Sequence, residues 1–225
     1  MKLLIVSATP FEVAPVNEHL TQHFKTNKEG FLQRGQLEVQ LLCTGVGMTA
    51  TAYALSRQLQ HQQYDLIVNA GIAGAFSGRG LQIGDVVSVA SEQFADLGVE
   101  DSQAKFTDVH EMALVDGNSF PFSGSKLLNP SADQYKFLPS VAALTVNKVH
   151  GSAGSIQKIM EKYPADIESM EGAAFFYCCL MEKQNFLQIR SISNEVEVRN
   201  KDNWNIPLAI DNLNKVLLQM MEITQ

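Results

Sequence analysis

Two glutamates lie beside apolar runs, at positions where a carboxylate can take part in chemistry. Glu12 lies just beyond the first apolar run, and both of its neighbours are apolar. Glu171 lies at the start of a helical pattern that follows another apolar run. The positive end of a helix dipole favours an ionised carboxylate there, even where the group is buried. Such carboxylates can act as a general base or accept hydrogen bonds from neighbouring hydroxyls.

Two glycine-rich segments follow predicted strands and could form ligand-binding turns. Residues 45–50 fit the G-x-G-x-x-G/A pattern of dinucleotide sites. The acidic residue of such a site should end the next strand, whereas Asp65 begins it, so we interpret this segment as a tight turn. Residues 69–75 are predicted to form a second turn, whose small residues suit a flat ring or a sugar as well as a phosphate. Neither segment has the lysine and Ser/Thr pair of a triphosphatase loop, which disfavours ATP hydrolysis.

The cysteines and histidines lack the spacing of a metal site. Cys43, Cys178 and Cys179 lie on apolar segments, and adjacent cysteines almost never bond to each other. We therefore expect reduced, buried thiols. The five histidines show neither an H-x-x-x-H nor a Cys/His pattern, so we predict no metal. His110 and His150 could contact a substrate.

Short apolar, β-branched runs predict strands that are buried on both faces. These runs cover residues 3–6, 39–43, 66–69, 85–89, 142–146 and 186–192. Helical patterns separate several of them and cover residues 48–60, 155–162, 171–183 and 206–221. Because parallel strands need crossovers, this alternation predicts an α/β fold, a three-layer α/β/α sandwich with a mixed, mostly parallel sheet. Ligands of such sheets bind outside the carboxyl ends of the strands. The segment 92–139 is predicted to be irregular, as rim loops, a lid or a subunit contact.

Length, charge and composition exclude several classes of function. The chain has 225 residues, of which 24 are acidic and 17 basic, so its formal net charge is −7. This balance argues against a nucleic-acid binder, which needs clustered positive charge. With 45% hydrophobic and 18% charged residues, we expect one globular domain over residues 1–225. Because no apolar run reaches about 18 residues and the amino end lacks a signal-peptide pattern, we expect a cytoplasmic protein without membrane contact.

Several motifs occur together in one order along the chain. They are T-G-V-G at 44–47, G-I-A-G at 71–74, S-M-E-G-A-A at 169–174 and S-I-S-N at 191–194. Together with Glu12, Arg199 and Trp204, they resemble the nucleoside phosphorylase and nucleosidase superfamily. Within it, the pattern looks most like the futalosine hydrolases, relatives of the methylthioadenosine/adenosylhomocysteine nucleosidases. The resemblance implies a nucleoside phosphorylase-like fold and cleavage of a purine N-glycosidic bond.

The resemblance also implies roles for three residues around the sugar. Glu12 would activate the attacking water and stabilise positive charge that develops on the sugar. Glu171 would accept hydrogen bonds from both ribose hydroxyls, and Met170 would pack below the apolar sugar face. The first 30 residues contain no arginine, so hydrolysis is favoured over phosphorolysis. Arg79 or Arg190 could still supply an anion ligand from elsewhere.

Asn194 stands where the adenine-specific relatives carry an aspartate that protonates purine N7. Asparagine cannot donate that proton, but its amide can hydrogen-bond N7 and a 6-oxo group while negative charge builds on the base. Hypoxanthine tolerates that charge better than adenine, so the loss of the acid points to a 6-oxopurine, although an amide can also pair with adenine. The resemblance places Ala73, Gly74 and Val149 against the base. Ile72 replaces a serine that helps to hold water in the adenine nucleosidases.

Two residues near the last helix are implied to lie beside the sugar's 5′ group. The indole face of Trp204 suits a flat substituent such as the benzoate of futalosine. Arg199 is a candidate for the benzoate carboxylate, since a guanidinium matches a carboxylate bidentately. The alternatives are a tryptophan that anchors the terminal helix and a solvated surface arginine.

The sequence therefore predicts a futalosine hydrolase that needs no cofactor, takes a small-molecule nucleoside as substrate and serves menaquinone biosynthesis. A methylthioadenosine/adenosylhomocysteine nucleosidase and a purine nucleoside phosphorylase are the near alternatives. A nucleoside-binding protein without turnover is the alternative from another class, although a pure binder does not need a water-activating acid such as Glu12. Related nucleosidases are dimers, and four phenylalanines between positions 94 and 122 suggest a subunit edge. We therefore expect a homodimer or a higher homo-oligomer.

Overall fold

A computed structural model describes residues 1–134 and 136–223 of the chain. In those residues the strands are β1 (Lys2–Ser7), β2 (Lys25–Thr26), β3 (Leu32–Arg34), β4 (Leu37–Cys43), β5 (Leu66–Ala75), β6 (Val86–Phe94), β7 (Gly98–Glu100), β8 (Phe106–Asp108), β9 (Phe122–Ser123), β10 (Lys126–Leu128), β11 (Ser140–Thr145), β12 (Ile167–Ser169) and β13 (Phe186–Glu195). The α-helices are α1 (Ala14–His23), α2 (Met48–His61), α3 (Ala153–Lys162), α4 (Gly172–Met181) and α5 (Ile206–Ile223). Short 3-10 helices lie at Pro10–Val13, Ala132–Gln134 and Lys201–Asn203. No helix in this part of the chain is long and apolar enough to cross a membrane.

Most of these strands form one mixed sheet. β1 is parallel to both β4 and β5, and β13 is parallel to β5 but antiparallel to β6. β11 pairs in parallel with β6 and β12, while β12 pairs antiparallel with β5. These contacts close β5, β12, β11, β6 and β13 into a ring, so one part of the sheet curls into a small barrel. The predicted α/β class and mixed sheet are confirmed, and the closure is the feature that the sequence did not predict.

The two faces of β1 pack against different helices. Leu4 and Val6 belong to a core cluster that includes Leu55 of α2 and residues of α4. Leu3 and Ile5 belong to a second cluster with residues of α1 and α5. Because successive side chains of a strand point to opposite faces, both faces of the sheet are covered by helices. This is the predicted three-layer arrangement.

Two strands run further than the sequence patterns predict. β5 continues without a break through residues 69–75, so the predicted second turn is wrong. β13 likewise continues to Glu195. Gly71 and Gly74 both lie in β5 without positive φ, and each lies under the side chains of other elements. These glycines therefore let side chains of other elements approach β5 closely, and they do not form a turn. Small residues in a sequence are compatible with both roles, so the sequence did not distinguish them.

The segment 92–139 is more regular than predicted. It contains the end of β6 and all of β7 to β10, of which β7 and β8 form a separate two-stranded sheet. Phe120 is 67% exposed, whereas Phe94, Phe106 and Phe122 are half-buried. The exposure of one ring does not test the predicted homo-oligomer, which stays a prediction.

One of the three cysteines differs from the prediction. Cys178 and Cys179 are free and buried in α4, as expected. Cys43 is free but exposed, as the last residue of β4. The expectation that this thiol is buried is therefore wrong.

Candidate active site

Glu12 lies beyond the carboxyl end of β1, in the 3-10 helix Pro10–Val13, and is only 7% exposed. The backbone N–H and the hydroxyl of Thr9 donate to its Oε2 over 2.9 and 3.1 Å. The backbone N–H of Ile72 donates to its Oε1 over 3.2 Å. Together these donors hold a buried carboxylate in one orientation.

Gly71 of β5 lies directly against the carboxylate of Glu12. A Cβ at Gly71 would lie 2.9 Å from Oε1 of Glu12 and 3.1 Å from Nη1 of Arg190. Arg190 lies on β13, is 1% exposed, and donates from Nη1 to the side chain of Asn69 and to the backbone oxygen of Ile189. The missing side chain therefore lets a buried cation and a buried carboxylate approach the same point. The sequence indicated Arg190 only as a possible anion ligand and did not predict this placement.

Glu171 is the N-cap residue of α4 and is 9% exposed. The backbone N–H of Gly47 donates to its Oε1 over 3.0 Å. Gly47 has a φ of 93°, so the predicted turn exists, and it serves a carboxylate of the same chain rather than a dinucleotide. Burial raises the pKa of Glu171, while Arg190 and the Gly47 N–H act in the opposite direction. Burial therefore opposes the ionised form that the helix dipole favours, and the role of Glu171 stays a prediction.

The carboxylate of Glu12 and the amide of Asn194 each lie next to a glycine of β5. Gly71 lies next to Glu12, and a Cβ at Gly74 would lie 3.1 Å from Nδ2 of Asn194. With a rise of about 3.3 Å per residue, the two glycines are about 10 Å apart along β5. Because successive residues of a strand face opposite sides, Gly71 and Gly74 lie on opposite faces of β5, so the two groups are separated across the strand as well as along it.

Asn194 lines a narrow cavity of about 40 Å³, which it shares with Gly74, Val149 and Trp204. The hydroxyl of Ser193 donates to Oδ1 of Asn194 over 2.8 Å. Nδ2 of Asn194 donates to the backbone oxygen of Glu195 over 2.8 Å. The amide is therefore oriented by its own strand. The structure brings these predicted base contacts to one place.

Ala73 and Met170 take less direct positions than predicted. The side chain of Ala73 packs in the core cluster that also contains Leu4, and its backbone oxygen accepts from Ser193 over 3.2 Å. Met170 is half-buried directly before Glu171, which is compatible with a contact to the sugar. Only the backbone of Ala73 is in a position to approach a base.

Three carboxylates, Glu168, Glu195 and Glu197, line the same cavity, and Glu168 was not predicted as a site residue. It lies in β12 and is 3% exposed. The backbone N–H of His150 donates to Oε1 of Glu168 over 3.0 Å, and Nδ1 of His150 lies 2.6 Å from Oε2. The sequence carried no local signal for this role, because the strand around Glu168 was not predicted and its partner His150 is 18 residues away.

Arg199 and Trp204 lie at the mouth of this cavity. The Arg199 guanidinium lies 5.5 Å from the centre of the indole ring. Trp204 is half-buried just before α5, and Arg199 is exposed. The structure therefore places both residues of the predicted 5′ pocket beside Asn194. Arg79, in contrast, is exposed in the loop after β5.

No group of three or more histidine, cysteine, aspartate or glutamate side chains in residues 1–134 and 136–223 is arranged to hold a metal ion. The buried carboxylates of Glu12 and Glu171, together with Arg190 and Asn194, are the polar groups that the site offers. A family model described as the phosphorylase superfamily matches residues 2–223. The chain belongs to the phosphorylase superfamily. The resemblance that the sequence motifs indicated is confirmed.

Curated relatives within this superfamily include two kinds of enzyme. The chain is 29% identical over 205 residues to a 5′-methylthioadenosine/S-adenosylhomocysteine nucleosidase of Colwellia psychrerythraea, covering 86% of this chain and 84% of the relative. It is 28% identical over 181 residues to a futalosine hydrolase of Thermus thermophilus, covering 79% of each. Sequence identity alone therefore does not separate the two.

Solved structures of the phosphorylase superfamily share the fold. The Colwellia nucleosidase, solved in complex with adenine, has a TM-score of 0.76 at 23% identity and covers 99% of this chain and 95% of its own. The futalosine hydrolase of Helicobacter pylori has a TM-score of 0.75 at 16% identity and covers 99% and 97%. These matches confirm the nucleoside phosphorylase-like architecture over nearly the whole chain.

Proposed function

We propose that this chain hydrolyses the N-glycosidic bond of a purine nucleoside and that its substrate is futalosine. The observation that carries the proposal is the carboxylate of Glu12, which is buried, held by donors from Thr9 and Ile72, and placed over Gly71. Relatives at 28 to 29% identity are a futalosine hydrolase and a nucleosidase, which supports the class of reaction. The products would be hypoxanthine and dehypoxanthine futalosine, as in the futalosine route to menaquinone.

Glu12 is the general base of the proposed reaction. It takes a proton from water while the water oxygen bonds to C1′ of the sugar. The bond from C1′ to purine N9 breaks, and the base leaves with the electron pair and is then protonated. The sugar carries positive charge in the transition state, which nearby carboxylates stabilise.

Glu171 holds the ribose in this proposal. Its Oε1 already accepts from Gly47, and the remaining lone pairs of the carboxylate can accept from the two ribose hydroxyls. Arg190 favours the ionised form of Glu171, which those hydrogen bonds need. Met170 supplies the apolar surface below the sugar.

The charge of the site favours water over phosphate as the nucleophile. Glu12 and Glu171 lie close enough that the charge of Glu12 raises the pKa of Glu171. Both carboxylates would repel a phosphate dianion at this point, whereas neutral water would not be repelled. Arg190 is the buried cation beside them, and its Nη1 already donates to Asn69 and Ile189. Hydrolysis is therefore better supported than phosphorolysis.

Asn194 supports a 6-oxopurine as the leaving base. Its amide can donate to N7 or O6 but cannot protonate N7 as an aspartate would. A base that bears negative charge well, such as hypoxanthine, suits this site. The Colwellia relative favours a second candidate, a methylthioadenosine/adenosylhomocysteine nucleosidase, which would need to release adenine without that acid.

The 5′ end of the nucleoside lies at the mouth of the cavity in this proposal. The stacked pair of Arg199 and Trp204 offers an aromatic face and an exposed guanidinium within 5.5 Å of each other. A benzoate has a flat ring and a carboxylate, so both features can be used at once. A methylthio group would use only the aromatic face.

The deciding experiment supplies candidate substrates in phosphate-free buffer. The purified protein is incubated separately with futalosine, inosine and methylthioadenosine, and the free base is followed by chromatography. Hypoxanthine from futalosine is the expected result. Adenine from methylthioadenosine alone would favour the second candidate, and base release only after phosphate is added would contradict hydrolysis.

A further inference from the structure

Two polar side chains flank Gly74 from opposite sides. Glu168 pairs with Gly74 across β12 and β5, and Asn194 pairs with Gly74 across β13 and β5. Residues directly opposite one another in a sheet point to the same face, and both side chains line the same cavity. They are two strand spacings apart, or about 10 Å between backbones. The backbone spacing matches a flat purine with one hydrogen bond on each side, and the cavity of about 40 Å³ has to widen to admit it.

Glu168 presents only acceptors to that cavity. The N–H of His150 is directed at Oε1 of Glu168, and the ring nitrogen Nδ1 of His150 lies 2.6 Å from Oε2. The backbone donor at this edge is therefore used within the protein. Each carboxylate oxygen has a second lone pair, so the edge that faces a bound base is an acceptor.

We infer that Glu168 is a specificity-determining residue that accepts a hydrogen bond from N1–H of a 6-oxopurine, while Asn194 contacts the N7 and O6 edge. The inference rests on the proposed function and names the base that this site selects. A 6-oxopurine carries a proton on N1, whereas a 6-aminopurine has a bare lone pair there. The carboxylate attracts the first base and repels the second at N1. Sites that hydrogen-bond a substrate group discriminate strongly against analogues that lack the group.

Base binding tests this inference without catalysis. Titration calorimetry with the wild-type protein compares hypoxanthine, 1-methylhypoxanthine and adenine. We expect hypoxanthine to bind at least about tenfold more tightly than either other base, as for loss of one charge-assisted hydrogen bond. Equal affinity for hypoxanthine and 1-methylhypoxanthine would overturn the inference, and this comparison needs no variant.

Glu168→Gln separates recognition from a merely structural pairing with His150. The glutamine is isosteric, and its amide can donate to N1 of adenine. We expect the affinity for hypoxanthine to fall about tenfold, the affinity for 1-methylhypoxanthine to stay unchanged and the affinity for adenine to rise. Glu161→Gln, at an exposed position on α3, is the matched control. Equal losses for all three bases would mean that Glu168 only supports the fold.

The outcome also separates this inference from the proposed function. If futalosine is hydrolysed but Glu168→Gln keeps the base preference of the wild type, Glu168 does not read the base and the proposed function stands. If futalosine is not hydrolysed and the base preference still changes, the recognition is correct and the proposed reaction is wrong.

Discussion

At the scale of single residues, Glu12 is the group on which the proposed hydrolysis depends. Glu12→Gln keeps the size of the side chain but removes its ability to take a proton from water. We expect hydrolysis to fall at least about 100-fold, the usual contribution of a general base. Binding of free hypoxanthine should remain, because the base lies beside Asn194. Rates of base release and calorimetry measure the two effects, with Glu18→Gln on the exposed face of α1 as the control. A fully active variant would remove Glu12 from the reaction.

In the proposed reaction, Asn194 sets how much negative charge the leaving base has to carry. Asn194→Asp restores an acid that can protonate N7, so cleavage of 6-aminopurine nucleosides should rise at mildly acidic pH, where more of the acid is protonated. Release of adenine from methylthioadenosine between pH 5 and 7 measures this change. No gain at any pH in a folded variant would show that the leaving-group argument is wrong.

Arg199 is the residue that would distinguish futalosine from simpler nucleosides. Arg199→Ala removes the guanidinium that lies over the indole of Trp204. We expect KM to rise about tenfold for futalosine and little for inosine, which has no carboxylate. Arg79→Ala, at an exposed loop position, is the matched control. Equal changes for both substrates would exclude Arg199 from the 5′ pocket.

At the scale of elements, β5 makes room for neighbouring side chains because Gly71 and Gly74 have no side chain of their own. Gly71→Ala places a methyl group 2.9 Å from Oε1 of Glu12 and 3.1 Å from Nη1 of Arg190. Because one of these groups has to move, we expect a loss of activity of at least about tenfold, in line with small misplacements of catalytic groups. Steady-state kinetics and circular dichroism measure activity and folding. Gly154→Ala in α3 has open space for its Cβ, so a similar loss there would contradict this reading of Gly71.

The sequence predicts elements better than it predicts their side-chain partners. Runs of β-branched residues marked β1 and the first half of β5, since apolar periodicity reports burial directly. Glu168 and Arg190 lie inside strands, and their partners are 18 and 121 residues away in the chain. Such pairs exist only after folding, so no local pattern contains them. Helix α1 was not predicted either, because Pro15 interrupts the helical pattern at its first turn.

At the scale of the whole molecule, the interior contains a titratable group that the reaction does not use. Glu92 is fully buried and accepts from the hydroxyl of Thr145 over 2.8 Å and from Nε2 of Gln188 over 2.6 Å. Burial raises its pKa from an ordinary 4.5 to about 7. A Cβ at Gly172 would lie 1.8 Å from Oε1 of Glu92, so the first residue of α4 has to be a glycine.

This group gives the free energy of unfolding a pH dependence of known sign. Between its unfolded and folded pKa values, the unfolded chain releases the Glu92 proton while the folded protein keeps it, so stability falls as pH rises. Glu92→Gln cannot ionise. Between pH 5 and pH 8, we expect the free energy of unfolding of the wild type to fall by about 2 kcal/mol more than that of this variant. Guanidinium unfolding at both pH values checks this difference, and equal losses would contradict it.

The cavity beside Asn194 is lined by two kinds of structure. Glu168, Gly74 and Asn194 lie on strands of the closed ring, whereas Arg199 and Trp204 lie in the connection between β13 and α5. Connections of this kind tolerate insertion and replacement far better than the strands of a closed sheet. Exchange of this connection alone could therefore give nucleosidases that keep one base and accept new 5′ groups. The architecture offers a modular route by which one scaffold acquires new substrates, in evolution or in the laboratory.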